Sequence, residues 1–181
     1  MAKHRHIVYS PFSVAEAGGG RKLGTSWEGK KKYIVVRHGD NGAPLAGVEE
    51  WRVVYIVCHT SPGGRIAGDN NKNTLTALQM AGRIKADGLS CQHQTMKLWS
   101  CSGGLAGPTD RESFGQKLLK ALRGVGYDQL ELYAYTATLW SLPDDYDPSV
   151  NKTNRSGVHK LAGPDADHRI RAKETRIPVT I

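Results

Sequence analysis

The chain is 181 residues long, with a formal net charge of +8 and 39% apolar content, enough for one domain with a buried core. No apolar run reaches the roughly 18–20 residues that span a bilayer, and the opening "MAKHRHIVYSPFSVAEAGGG" lacks the sustained apolar stretch of a secretory leader. Three cysteines, Cys58, Cys91 and Cys101, are too few for a disulfide scaffold, so a cytoplasmic or other reducing compartment is expected, with signal-independent export left open.

Residues 1–29, punctuated by Gly18-Gly19-Gly20 and Gly24, read as a loosely structured lead-in, and 30–181 as a single α/β domain. "KKYIVVRH" at about 32–38 is a short β-branched run. "WRVVYIVC" at 51–58 is nearly all apolar, the pattern of a strand covered on both faces. A helix is expected over about 73–87, capped by Asn73 and stopped at Gly88. "TMKLWS" at 95–100 is the next strand. Thr109-Asp110-Arg111-Glu112 then matches a capping box ahead of a helix whose Phe114, Leu118, Ala121 and Leu122 form an apolar face. Gly124 and Gly126 end that helix, and "QLELYAYT" at about 129–136 is a further strand. The stretch 141–166 reads as a long polar loop, and "HRIRAKETRIPVTI" as a terminal hairpin or edge strand. Strands alternating with helices predict a mostly parallel central sheet.

The segment 51–100 is one strand–helix–strand unit, whose right-handed crossover sets both strands side by side in the same sense. Open α/β sheets bind ligands at the carboxyl edge. His59 follows one strand and Cys101 the next, and adjacent strands lie about 4.8 Å apart, so an imidazole and a thiol are expected at one cleft. A thiol is mostly protonated at neutral pH, and a neighbouring imidazolium favours the nucleophilic thiolate. Backbone N–H groups in "SCSGG", including Ser102 and Gly103, and in Gly63-Gly64 are candidate oxyanion donors, because glycine lets the backbone approach closely. Cys58 lies inside an apolar strand and reads as core. Cys91 and His93 lack a second ligand pair at zinc spacing, so no metal is expected.

"VVYIVCHTSPGG", a helix and then "MKLWSCSGG" resemble the caspase-like fold of the clan CD cysteine peptidases, which include caspases, gingipains, separase and the autoprocessing domains of large bacterial toxins. "ESFGQKLLKALRGVGYDQLELYAYT" is similar to the helix and strand that follow in the toxin-type members. The resemblance covers roughly 32–136. It implies a three-layer sandwich with helices flanking the sheet, and a cysteine endopeptidase acting on a polypeptide, in the manner of a bacterial effector or toxin. His59 would then be the general acid/base and Cys101 the nucleophile. The family usually has Gly after the His, where its amide helps form the oxyanion hole; here Thr60 stands there, and either supplies that amide or leaves the hole built otherwise. Toxin-type relatives are activated by inositol hexakisphosphate on a basic patch, so the resemblance admits an inositol phosphate activator, while the chemistry itself requires no cofactor. For the residue before the scissile bond, Asp69, Asp144, Asp145 and Asp147 would favour a basic side chain and the arginines an acidic one.

Two further readings stay open. "YIVVRHGDN" presents Arg37, His38 and Gly39, which look like the opening tripeptide of the histidine phosphatases, although a second Arg and a distant second strand-end His are wanting. Alternatively the caspase-like module is non-catalytic and binds a partner. The basic clusters, Lys30-Lys31-Lys32 and "DHRIRAKETR", carry no interleaved aromatics, so neither nucleic acid nor membrane is an expected partner.

Overall fold

A computed structural model of the chain describes residues 6–17, 23–29, 32–142, 159–162 and 170–181. Its core is a six-stranded sheet built from β1 (His6–Ser10), β2 (Tyr33–Arg37), β3 (Val54–Val57), β6 (Thr95–Trp99), β7 (Glu131–Tyr135) and β11 (Arg176–Pro178). Their order is β11-β7-β6-β3-β1-β2, all parallel except β11, which runs antiparallel on the β7 edge. A hairpin of β4 (Ile66–Gly68) and β5 (Thr74–Thr76) and a three-stranded sheet of β8 (Leu139–Leu142), β9 (His159–Ala162) and β10 (Ile170–Arg171) complete the strands. Three helices, α1 (Val14–Ala17), α2 (Ala77–Ala86) and α3 (Phe114–Gly124), and a 3-10 turn at Thr25–Trp27 lie between them.

The order reverses at β1. The chain steps outward from β1 to β2, crosses back to β3, and then proceeds through β6 to β7. Right-handed crossovers in opposite directions lie on opposite faces. Thus α2 and α3 pack together on one face, and the first connection brings Trp27 to the other. Strand alternation turns Ile7, Tyr9, Val54, Ile56, Met96, Leu98, Leu132 and Ala134 toward the helices, where Met80, Ala81, Ile84, Leu118, Leu119 and Leu122 are buried. Tyr55, Trp99 and Tyr135 occupy the opposite face. There Trp27 meets Trp99 edge-on at 5.6 Å between ring centroids, and Trp99 meets Tyr135 at 5.0 Å. Among the described residues this second face is covered by the Thr25–Trp27 turn and not by a long helix.

Several local expectations change. His6–Ser10 is not lead-in: β1 pairs with β2 on one side and β3 on the other, and Ile7, Val8, Tyr9 and Ser10 are all buried. The helix expected from Asn73 starts at Ala77, because Thr74–Thr76 pair with Ile66–Gly68. Its cap is Thr76, whose hydroxyl accepts from Gln79 N–H while the Gln79 side chain accepts from Thr76 N–H. Likewise α3 is capped by the reciprocal pair Ser113 and Gln116, not by Thr109 and Glu112. Gly88 and Gly126 do close their helices, at φ values of +88° and +107°. The expected loop 141–166 takes in the end of one strand, Leu139–Leu142, and all of its partner His159–Ala162; Asp144, Asp145 and Asp147 lie outside the described residues. Arg176–Pro178 is the edge strand foreseen at the C-terminus.

Candidate active site

Val57 and Trp99 are Cα partners at the ends of β3 and β6, and Cys58 N–H donates to the Trp99 carbonyl at 3.3 Å. His59 and Cys101 each follow that pair by two residues, on the same edge of the sheet. The edge is the carboxyl one, where strand order reverses nearby, the usual ligand site of open α/β sheets.

The His59 backbone is tied to β4: its N–H and C=O exchange hydrogen bonds with Gly68, both at 2.8 Å. The ring is exposed, with Nε2 2.8 Å from Asn70 Oδ1. A carboxamide oxygen only accepts, so Nε2 carries the proton and Nδ1 is the basic nitrogen. Asn70 sits in a loop shaped by Asp69, whose carboxylate accepts from Asn71 N–H at 2.7 Å, Asn73 N–H at 3.0 Å and Asn73 Nδ2 at 2.8 Å. Burial pushes the Asp69 carboxyl up, but these donors outweigh it and hold it below the ordinary carboxylate range. Asp69 therefore holds its own loop, and with it Asn70, in place.

Cys101 is half-buried. Its sulfur accepts from Leu139 N–H at 3.4 Å and lies 4.0 Å from the Leu139 carbonyl. The imidazole and the thiol thus occupy one edge with separate partners, and no hydrogen bond joins them. Cys58 is a core residue, 3% exposed, and its burial pushes the thiol far up against a smaller opposing effect of Ser100.

The four candidate oxyanion residues divide. Gly63 N–H donates to Leu105 O at 2.8 Å and Ser102 N–H to Ala137 O at 3.0 Å, so neither is free; Gly64 N–H is likewise spent on Ser61 O at 2.9 Å. Among the described residues, no acceptor takes the N–H of Thr60, Cys101 or Gly103. Gly103 is required by space: a Cβ there would lie 2.3 Å from Ser100 Oγ and 3.0 Å from a Leu98 methyl. Its carbonyl accepts from Gly115 N–H at 2.8 Å, which seats the loop on the first turn of α3. Thr60 contributes its side chain: Oγ1 donates to the Cys101 carbonyl at 2.6 Å and lies 3.0 Å from Ser100 Oγ. Asn70, the Leu139 amide and the Thr60 hydroxyl were not singled out by spacing; Asn70 lay in a turn-rich run, and the main chain of Leu139 leaves no mark in residue type.

Arg37 and His38 do not converge. The Arg37 guanidinium pairs with Glu28 in the crossover on the Trp27 face, and His38 Nδ1 lies 3.0 Å from both oxygens of Asp87 at the end of α2. Arg37 and His38 thus each already hold a carboxylate, Glu28 and Asp87, from different elements. Cys91 and His93 form no ligand set: His93 is buried and its Nε2 donates to the Thr95 carbonyl at 3.2 Å.

The molecule is an α/β protein with a mostly parallel sheet and no helix, among the described residues, long and apolar enough to cross a membrane. It belongs to the family described as domain of unknown function (DUF8616), whose model matches residues 27–151. No curated protein matches the sequence.

Proposed function

We propose that this chain is a caspase-like cysteine peptidase that cleaves peptide bonds with Cys101 as nucleophile and His59 as general acid/base. The observation that carries the reading is the equal offset of His59 and Cys101 beyond the Val57–Trp99 pair on adjacent parallel strands. The half-buried sulfur, the exposed imidazole and the unspent amides of Cys101 and Gly103 are further support.

In this mechanism Nδ1 of His59 removes the Cys101 thiol proton, and Sγ attacks the carbonyl carbon of the substrate. The oxyanion is held by loop N–H groups. Collapse breaks the C–N bond, and the imidazolium returns its proton to the departing amine. Water, activated by the same imidazole, then hydrolyses the thioester and regenerates the thiol. Asn70, on Nε2, keeps the tautomer that presents Nδ1. Because catalytic hydrogen bonds commonly tighten only with substrate bound, separate partners for the two side chains are compatible with this chemistry.

A non-catalytic binding module is the second reading, and the same separation of His59 and Cys101 onto Asn70 and Leu139 favours it. A set of peptidyl chloromethyl ketones, applied to the full chain and read by mass spectrometry, separates the two. Labelling of Cys101 that is lost in His59→Ala supports the peptidase; no labelling above the rate of a simple alkylating agent, or labelling indifferent to His59, leaves the binding module.

A further inference from the structure

Resting on the dyad reading, we propose that Thr60 is a positioning residue that fixes the direction of the Cys101 side chain relative to His59. Beyond the Cys58–Trp99 hydrogen bond the two loops separate and attach to different elements: His59 to Gly68 in β4, Gly103 to Gly115 in α3. The Thr60 hydroxyl is the tie nearest the two reacting groups. It donates to the carbonyl of Cys101 at 2.6 Å.

That hydrogen bond acts on a whole peptide plane. In a trans peptide the C=O of Cys101 and the N–H of Ser102 point in opposite directions. Thr60 holds the carbonyl end and Ala137 O holds the amide end at 3.0 Å, so the 101–102 plane is gripped from both sides. With the plane fixed, the Cα of Cys101 is held at its end, and so is the point from which the side chain leaves; the Leu139 N–H, from which the sulfur accepts at 3.4 Å, then sets the rotation about Cα–Cβ. Ser102, next in the chain, is forced to a φ of +53°, a left-handed conformation that a free serine rarely adopts. Ser100, buried and 3.0 Å from Thr60 Oγ1, backs the hydroxyl from the other side. Glycine at position 60 could provide an amide but no such grip.

The test is the second-order rate of Cys101 alkylation by iodoacetamide from pH 5 to 9 in the full chain, with a urea midpoint for each variant. Thr60→Val is expected to lose roughly tenfold at neutral pH, the value of one well-made hydrogen bond, and to move its pH profile toward that of His59→Ala. Thr60→Ser, which keeps the hydroxyl, is expected to stay within about twofold of the parent. If Thr60→Val does not fold, Thr60→Gly removes the hydroxyl with less crowding and takes its place. A parental profile in the hydroxyl-free variant, while His59→Ala is slow, overturns the positioning role and leaves the dyad standing. A parental profile in His59→Ala overturns the dyad, and the positioning role with it.

Discussion

Val57 and Trp99 face one another across β3 and β6, and that single rung decides how far His59 and Cys101 stand from the sheet. Because both loops depart from the same rung, changes in the loops alter direction more than reach. The consequences are best tested at the residues that aim the two side chains.

Asn70 holds Nε2 of His59 through a carboxamide oxygen at 2.8 Å. Asn70→Ala removes the acceptor and is expected to slow Cys101 alkylation at pH 7 by about three- to tenfold, the range for one hydrogen bond. Asn70→Asp keeps an oxygen acceptor of the same shape and is expected to stay closer to the parent rate. The alkylation rate at pH 7, followed by mass spectrometry, reads both; a parental rate in Asn70→Ala contradicts the contact.

Gly103→Ala places a methyl 2.3 Å from Ser100 Oγ in a packed corner. Overpacking of this kind destabilises by about 1–3 kcal/mol, read as a lower urea midpoint at unchanged slope. The companion variant Gly82→Ala meets nothing within 4 Å and lies on the exposed side of α2, so it is expected to be neutral or slightly stabilising.

His93 should make stability depend on pH. Burial holds its imidazole below the ordinary value, against smaller opposing effects of the Thr95 carbonyl and Glu50. The unfolded chain, with a histidine near its reference pKa of about 6.5, therefore binds the proton first as pH falls. The contribution is present in full above that pH and is lost as pH drops toward the folded value. Urea midpoints measured from pH 8 to pH 5 should decline more steeply in the parent than in His93→Gln; parallel curves would remove His93 from the explanation.

Cys58 and Cys101 are separated by burial. Iodoacetamide under native conditions is expected to modify Cys101, a partly exposed residue, and to spare Cys58, which is buried and whose thiol is pushed up by desolvation. Peptide mapping after short exposure checks this; early modification of Cys58 would mean that the β3 end opens readily.

The central units were readable because their patterns are strong. "VVYIVC" is an apolar, β-branched run of strand length, and the Phe114, Leu118, Leu122 spacing is that of a helix face. The parallel arrangement of β3 and β6 follows from them. What escaped was short or had competitors. "HIVYS" is five residues followed by a proline, and nothing local says that it pairs between two other strands. Both Thr109–Glu112 and Ser113–Gln116 have capping-box spacing; the latter prevails because it directly abuts the apolar stripe at Phe114. Thr74–Thr76 were absorbed into a helix because three residues carry no period. At the site, residue types pointed to His59 and Cys101, but the bonds that orient them come from a hydroxyl, a carboxamide and a main-chain amide, which sequence spacing does not mark.

The stretch matched by the family model, 27–151, is shorter than the set of strands that build the sheet. A polypeptide trimmed to that span would lack the five residues wedged between β2 and β3, so those two strands would flank an empty slot with both inner rows of amides and carbonyls unanswered. Anyone preparing the recombinant domain should therefore draw its borders from the order of strands in space, keeping the first ten residues even though the recognisable motif begins well after them.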